Sequence, residues 1–240
     1  MIKKNDLKIF ETKEDLINNL AEEFVKMVSS SKGKINVALA GGGTPKPFYE
    51  RLATSTISSN INWNKVHFFW GDERCVPPDD SESNFGMVKS ALFDKIEIPD
   101  QNIHRVKCEK TPPKAAKKYE IEIINNLSGD SYPKFDWVFL GLGGDGHTAS
   151  LFPESENLDN DEDICVIATH PESAQKRISL SLPVLNSAKR VSFLVTGQKK
   201  KDILEKVVSS SEKKEYPATF IKPVGKLEVY ADKAAAQKVV

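Results

Sequence analysis

The run FDWVFLGLGGDGHTASLFP, residues 135–153, decides the fold. Its first part, Phe135, Trp137, Val138, Phe139 and Leu140, is aromatic, aliphatic and unbroken by charge after Asp136, as in a strand buried on both faces. Gly141-Leu142-Gly143-Gly144-Asp145-Gly146 then breaks the pattern, and His147 and Thr148 stand where a helix is expected to start. A buried strand that passes through a glycine turn into a helix is a unit of a parallel α/β sheet. Ligands of such sheets bind at the carboxyl ends of the strands. Glycine lets the backbone approach a ligand closely, and the first turn of a helix offers N–H groups to an anion. The turn also carries a carboxylate, Asp145, and an imidazole, His147. It is therefore read as the catalytic centre.

The chain on either side repeats the pattern. Residues 12–30 read as an amphipathic helix, started by Thr12 and Asp15 and buried along Leu16, Leu20, Phe24 and Val28. Residues 34–40 read as a buried strand ending in Gly41-Gly42-Gly43-Thr44-Pro45, with Pro45 at the first position of a helix. Residues 65–70 are the next strand, running into a turn at 71–74, a Pro/Asp loop and a helix over 83–93. A short strand is expected at 102–106 and a helix at 112–127. After the central run come strands at 163–169 and 177–182, a short helix or turn at 183–188 and a strand at 190–196. A helix at 198–209, a strand at 226–231 and an Ala-rich final helix complete the chain. Strands and helices alternate, so the expected fold class is α/β with a mainly parallel sheet covered on both faces. No Gly/Ser linker interrupts the chain, so residues 1–240 are expected to form a single catalytic domain.

Composition narrows the function classes. Acids and bases balance at 34 each, a net charge of zero that lacks the basic excess of a nucleic-acid surface. No apolar run reaches transmembrane length, and MIKKNDLKIFETKED lacks the apolar core of a signal peptide. Cys75, Cys108 and Cys165 are scattered, odd in number and without a CxxC, so free thiols in a reducing compartment are expected. These features predict a cytoplasmic protein without a nucleic-acid or membrane partner, and no obligatory protein partner is evident.

Polar or glycine-rich turns follow predicted strands at 41–45, 71–84, 141–148 and 170–177, and parallel pairing would gather them at one edge. There His147 is the candidate general base or acid, because an imidazole ordinarily titrates near neutrality. The bland alternative is a helix-capping histidine. Asp145 would orient the ring, or else only shape the turn. Gly41, Gly42, Gly43 and Thr44 form either a tight turn or an anion cradle, but neither a P-loop nor a GxGxxG, so no nucleotide is inferred. Arg74 and Arg177 open onto two of the turns. Guanidinium grips phosphate through two hydrogen bonds, although surface salt bridges are the ordinary use of arginine. Lys200 would add a third positive charge, or belong to a solvated run. His67, His104 and His170 are read as structural and Cys75 as a bystander. Without a G-x-S-x-G elbow, a serine hydrolase is a poor reading.

Taken together, these motifs resemble the 6-phosphogluconolactonase family over most of the chain. LGLGGDGHTASLFP (140–153) is similar to the family signature, and GDERCVP with Ser83-Asn84 to a second motif. RISLSLPVLNSA (177–188), AGGGTP (40–45) and GQKKKDIL (197–204) are similar to three more. The resemblance implies a three-layer αβα, Rossmann-like fold shared with glucosamine-6-phosphate deaminase and ribose-5-phosphate isomerase. It implies hydrolysis of a sugar-phosphate lactone with no cofactor and no metal. It adds Asn84 and Gly144 to the substrate-binding set of Gly41, Gly42, Gly43, Thr44, Arg74, Arg177 and Lys200, with His147 and Asp145 catalytic. Gly43 departs from the pattern, since the family usually has serine there. Two rivals are a sugar-phosphate isomerase or deaminase, whose turn resembles GHIAFNEP, and a sugar-phosphate-sensing domain, which usually carries a helix-turn-helix segment.

Overall fold

The computed structural model describes residues 2–109, 111–211 and 213–239. In chain order the elements are β1 (Leu7–Phe10), α1 (Lys13–Ser30), β2 (Ile35–Leu39), α2 (Lys46–Leu52), α3 (Ser55–Ser58), β3 (Val66–Trp70) and β4 (Asp72–Arg74). They continue as α4 (Asn84–Ala91), α5 (Pro112–Asn126), β5 (Trp137–Gly141), β6 (Cys165–Thr169), β7 (Lys176–Leu180) and α6 (Leu182–Ser187). The last are β8 (Arg190–Val195), α7 (Lys201–Ser209), β9 (Lys226–Asp232) and α8 (Lys233–Ala236). Six strands form a parallel sheet in the order β1-β9-β8-β5-β2-β3, flanked by helices. β4, β7 and β6 form a smaller antiparallel sheet in that order.

The central run behaves as its composition requires. β5 lies inside the large sheet, and Phe135, Trp137, Val138 and Phe139 are fully buried. Alternation along a strand puts Trp137 and Phe139 on one face. There they meet Phe24 of α1 and Phe48 of α2, with ring centroids 6.2 and 5.2 Å apart. The Trp137 indole N–H donates to Ser192 Oγ at 2.8 Å, so its one polar atom is satisfied. The Thr12–Asp15 capping box starts α1 as expected, and such a cap is worth about 1 kcal/mol. Two buried tyrosines pin the strand ends next to the site. Tyr49 Oη donates to the Ala40 carbonyl (2.8 Å) and accepts from its N–H (3.1 Å). Tyr119 Oη does the same for Trp70, at 2.9 and 2.7 Å.

Several expectations need correction. The cysteines are not all free: Cys75 and Cys108 form a disulfide with Cα atoms 4.7 Å apart, and only Cys165 is a buried free thiol. Folding brings the end of β4 against the segment before α5, a proximity that scattered spacing hides. The turn at 71–74 is a strand, β4, because its residues pair with β7. The strands at 163–169 and 177–182 are β6 and β7, which pair antiparallel outside the main sheet. Residues 102–106 make only one bridge, Ile103 to Phe68, instead of a strand. Pro45 caps α2, which begins at Lys46. β1 carries no strong pattern and gains its place by pairing with β9. Among the described residues no helix is long and apolar enough to cross a membrane.

The correction nearest the site concerns His147. No helix begins there. The chain makes a narrow turn, with Thr148 bridged to Leu151 and left-handed backbone at Ala149 (φ 49°) and Glu154 (φ 56°). Three side-chain bonds hold it in this form. Thr148 Oγ1 donates to the Gly141 carbonyl (2.8 Å), Ser150 Oγ to Asp72 (2.6 Å), and the Ser150 N–H to Ser179 Oγ (3.2 Å). The segment is tied to the small sheet and presents no helix N-terminus to an anion.

Candidate active site

Four neighbouring strands, β8, β5, β2 and β3, each end within two residues of a glycine: Gly197, Gly141, Gly41 and Gly71. Parallel strands place these ends at one edge of the sheet, and a cavity of about 340 Å³ opens there. The size suits a small ligand. Gly41–Thr44, Arg74, Asn84, Gly144, His147, Arg177 and Lys200 all border it, so these predicted residues come together. Asp145 does not line the cavity and stands behind His147. The 170–175 turn stays outside as the β6–β7 hairpin, and only Arg177 from that region reaches in.

The geometry of the Asp145–His147 pair is well defined. Asp145 Oδ1 lies 2.6 Å from His147 Nδ1 and accepts the His147 backbone N–H at 3.1 Å. A carboxylate at Nδ1 holds the proton there and leaves Nε2 as the basic nitrogen. Burial pushes the Asp145 carboxyl up, but the hydrogen bond and charge of the His147 ring, with backbone N–H groups, hold it at about 2. That value lies below the unfolded value of about 3.9. The stabilisation from this carboxylate is therefore present above pH ~4 and lost as pH falls toward 2. Asp145 stays an anion throughout the neutral range. We expect Asp145→Asn to lower kcat by about 10²–10⁴-fold, since an amide no longer fixes the tautomer. An unchanged kcat in the folded variant would show that the pair is not coupled.

Glycine is required at two particular places. A Cβ on Gly143 would sit 2.2 Å from His147 Nδ1 and 2.6 Å from Asp145 Oδ1. A Cβ on Gly41 would sit 1.7 Å from Asn84 Oδ1. Gly43 has nothing within 4 Å of a Cβ and no positive φ. Gly43→Ser should therefore fold with its melting temperature nearly unchanged, whereas Gly41→Ala should lower it. Differential scanning calorimetry of the two variants checks this, and a large loss in Gly43→Ser would contradict it.

The positive side of the cavity comes from both sheets. Arg74 of β4 and Arg177 of β7 are directly opposed in the antiparallel register, and both reach the cavity. Like charges facing across strands repel, and an anion between them reverses the sign. Burial draws the Arg177 guanidinium below its ordinary value; Asp72 opposes this and Arg74 adds to it. Arg177 also lies over the Phe152 ring, 5.5 Å from its centroid. Arg74 Nη1 donates to the Glu82 carbonyl, while its buried Nε has no partner. Lys200 Nζ donates to the Leu142 carbonyl at 2.5 Å, and burial lowers its pKa against the pull of Asp145.

Sequence reasoning overlooked Asp72, a buried cavity residue held by Ser150, and Glu73 directly behind Arg74. Both stand in the quoted GDER run, but nothing in a run of charges separates a site carboxylate from a solvated one. His67 and His104 bond each other at 2.9 Å away from the cavity, in keeping with their structural reading.

The cavity thus brings together an imidazole paired with a carboxylate and two guanidinium groups that face each other across two strands. The sequence profile of the family described as glucosamine-6-phosphate isomerases/6-phosphogluconolactonase matches residues 11–229, and the chain belongs to that family. The 6-phosphogluconolactonase of Haemophilus influenzae is 45% identical over 230 residues, covering 95% of this chain and 97% of that protein. The crystal structure of a devB protein is 40% identical, with a TM-score of 0.94 over 100% of both chains. That of 6-phosphogluconolactonase from Thermotoga maritima is 31% identical, with a TM-score of 0.82 over 95% of this chain and 99% of that one.

Proposed function

We propose that this chain is a lactone hydrolase that converts 6-phospho-D-glucono-1,5-lactone to 6-phospho-D-gluconate, the second step of the oxidative pentose phosphate pathway. The observation that carries the reading is the His147–Asp145 pair, with His147 in a cavity bordered by Arg74 and Arg177. In this scheme His147 Nε2 takes a proton from water, and the hydroxide formed attacks the lactone carbonyl carbon. Backbone N–H groups of the glycine turns at Gly42–Thr44 and Gly144 stabilise the oxyanion. The C1–O5 bond then breaks, and the imidazolium returns its proton to O5. Arg74, Arg177 and Lys200 hold the phosphate, and Asn84 completes the wall beside Gly41. The scheme asks nothing of a metal, so a chelator should leave the rate unchanged. We also read residues 1–240 as one catalytic domain, since side chains of both sheets join the same hydrophobic core.

The family description also covers isomerases. Those enzymes move a proton at carbon and open a sugar ring. The two activities separate when the protein is given the phosphorylated lactone and glucosamine 6-phosphate in parallel. The proposal predicts acid release from the lactone above its spontaneous rate and no ammonia from the amino sugar. Ammonia release without lactone consumption would contradict it.

A further inference from the structure

Glu73 is 3% exposed and does not line the cavity. It stands between Asp72 and Arg74 on β4 and, by strand alternation, faces away from them. Its two oxygens accept four bonds. Oε1 takes the N–H groups of Arg74 (2.8 Å) and Asn84 (2.8 Å). Oε2 takes the Phe85 N–H (2.7 Å) and the Ser83 hydroxyl (3.4 Å). Asn84 and Phe85 open α4, so the carboxylate occupies that helix's N-terminus; burial pushes its pKa up, and the N–H groups of Phe85, Asn84 and Arg74 draw it partly back. The same four bonds close the 74–83 loop on itself. They fix both cavity residues that the loop supplies, Arg74 at one end and Asn84 at the other.

We propose that Glu73 is a positioning residue for the substrate's phosphate, acting through Arg74 and Asn84 without touching the substrate. The inference rests on the lactonase reading for its substrate but on the hydrogen bonds for its mechanism. A buried carboxylate meeting several N–H groups is an anionic anchor. An amide in its place must turn an NH2 group toward donors, so the loop loses at least one bond and shifts. A misplaced guanidinium weakens phosphate binding and leaves His147 and Asp145 in place, because their turn is held through Gly141, Asp72 and Ser179 and not through the 74–83 loop.

The test compares Glu73→Gln, Glu73→Asp and Ser83→Ala with wild type. Two readouts are used: steady-state kinetics on phosphorylated and unphosphorylated gluconolactone, and calorimetric binding of inorganic phosphate. Glu73→Gln should raise KM for the phosphorylated lactone and Kd for phosphate by about tenfold or more, the equivalent of losing one good hydrogen bond. Its kcat, and its kcat/KM on the unphosphorylated lactone, should remain near wild type. Glu73→Asp should recover part of the loss, and Ser83→Ala should show a smaller shift in the same direction. If Glu73→Gln does not fold, the other two variants decide by the same criterion. Unchanged KM and Kd in the folded variants, or an equal fall on both substrates, would overturn the proposal. Phosphate binding is read without turnover, so an inactive wild type would sink the lactonase reading while leaving this measurement able to judge Glu73.

Discussion

His147→Ala lowers kcat for the phosphorylated lactone by about 10²–10⁴-fold, the usual worth of a positioned acid–base group. No single substitution is expected to exceed it, and Asp145→Asn, acting through the same imidazole, falls in the same range. The imidazole acts twice in the proposed scheme, first taking a proton from water and then returning it to the ring oxygen. Asp145 makes it effective by holding the proton on Nδ1 across 2.6 Å. The substitution removes a group that acts in the transition state, so KM should change far less than kcat. The fold should tolerate the change, since His147 sits in an open turn secured by Thr148 and Ser150. Near wild-type kcat in a properly folded variant would exclude His147 as the base.

A large effect on binding, separate from the acid–base pair, belongs to the arginines. Arg177→Ala should lower kcat/KM on the phosphorylated lactone by about 10–100-fold, the range for losing a hydrogen bond to a charged group. Arg74→Ala should act in the same direction. On unphosphorylated gluconolactone both should stay close to wild type. The reason is geometric: Arg74 and Arg177 face each other across β4 and β7, a placement that repels without an anion and binds with one. Inorganic phosphate should therefore raise the melting temperature of the wild type by mass action and do so much less in the double variant. Equal losses on both substrates would assign the arginines to the sugar or the reacting centre instead of to the phosphate.

Much of this arrangement can be read from the chain. Residues 135–141 announce a buried central strand because aromatic and β-branched residues on both faces leave no solvent side. The glycine turns announce the cavity because successive parallel strands bring their ends to one edge. What escaped is contact between parts distant in sequence. Cys75 and Cys108 are separated by 33 positions and meet only once β4 and the segment before α5 are placed. β6 and β7 have strand composition, but composition does not tell which sheet they join. The turn after Gly146 reads as a helix start until Ser150 is seen to be claimed by Asp72 and Ser179. Asp72 and Glu73 look alike in sequence, yet one faces the cavity and the other the start of α4.

The most direct measurement is the rate at which the purified protein hydrolyses 6-phospho-D-glucono-1,5-lactone, coupled to oxidation of the 6-phosphogluconate formed and corrected for spontaneous opening. The account predicts a saturable rate well above background that falls by about 10²–10⁴-fold in His147→Ala. A corrected rate of zero in the folded wild type, or an equal rate in the folded variant, would contradict it.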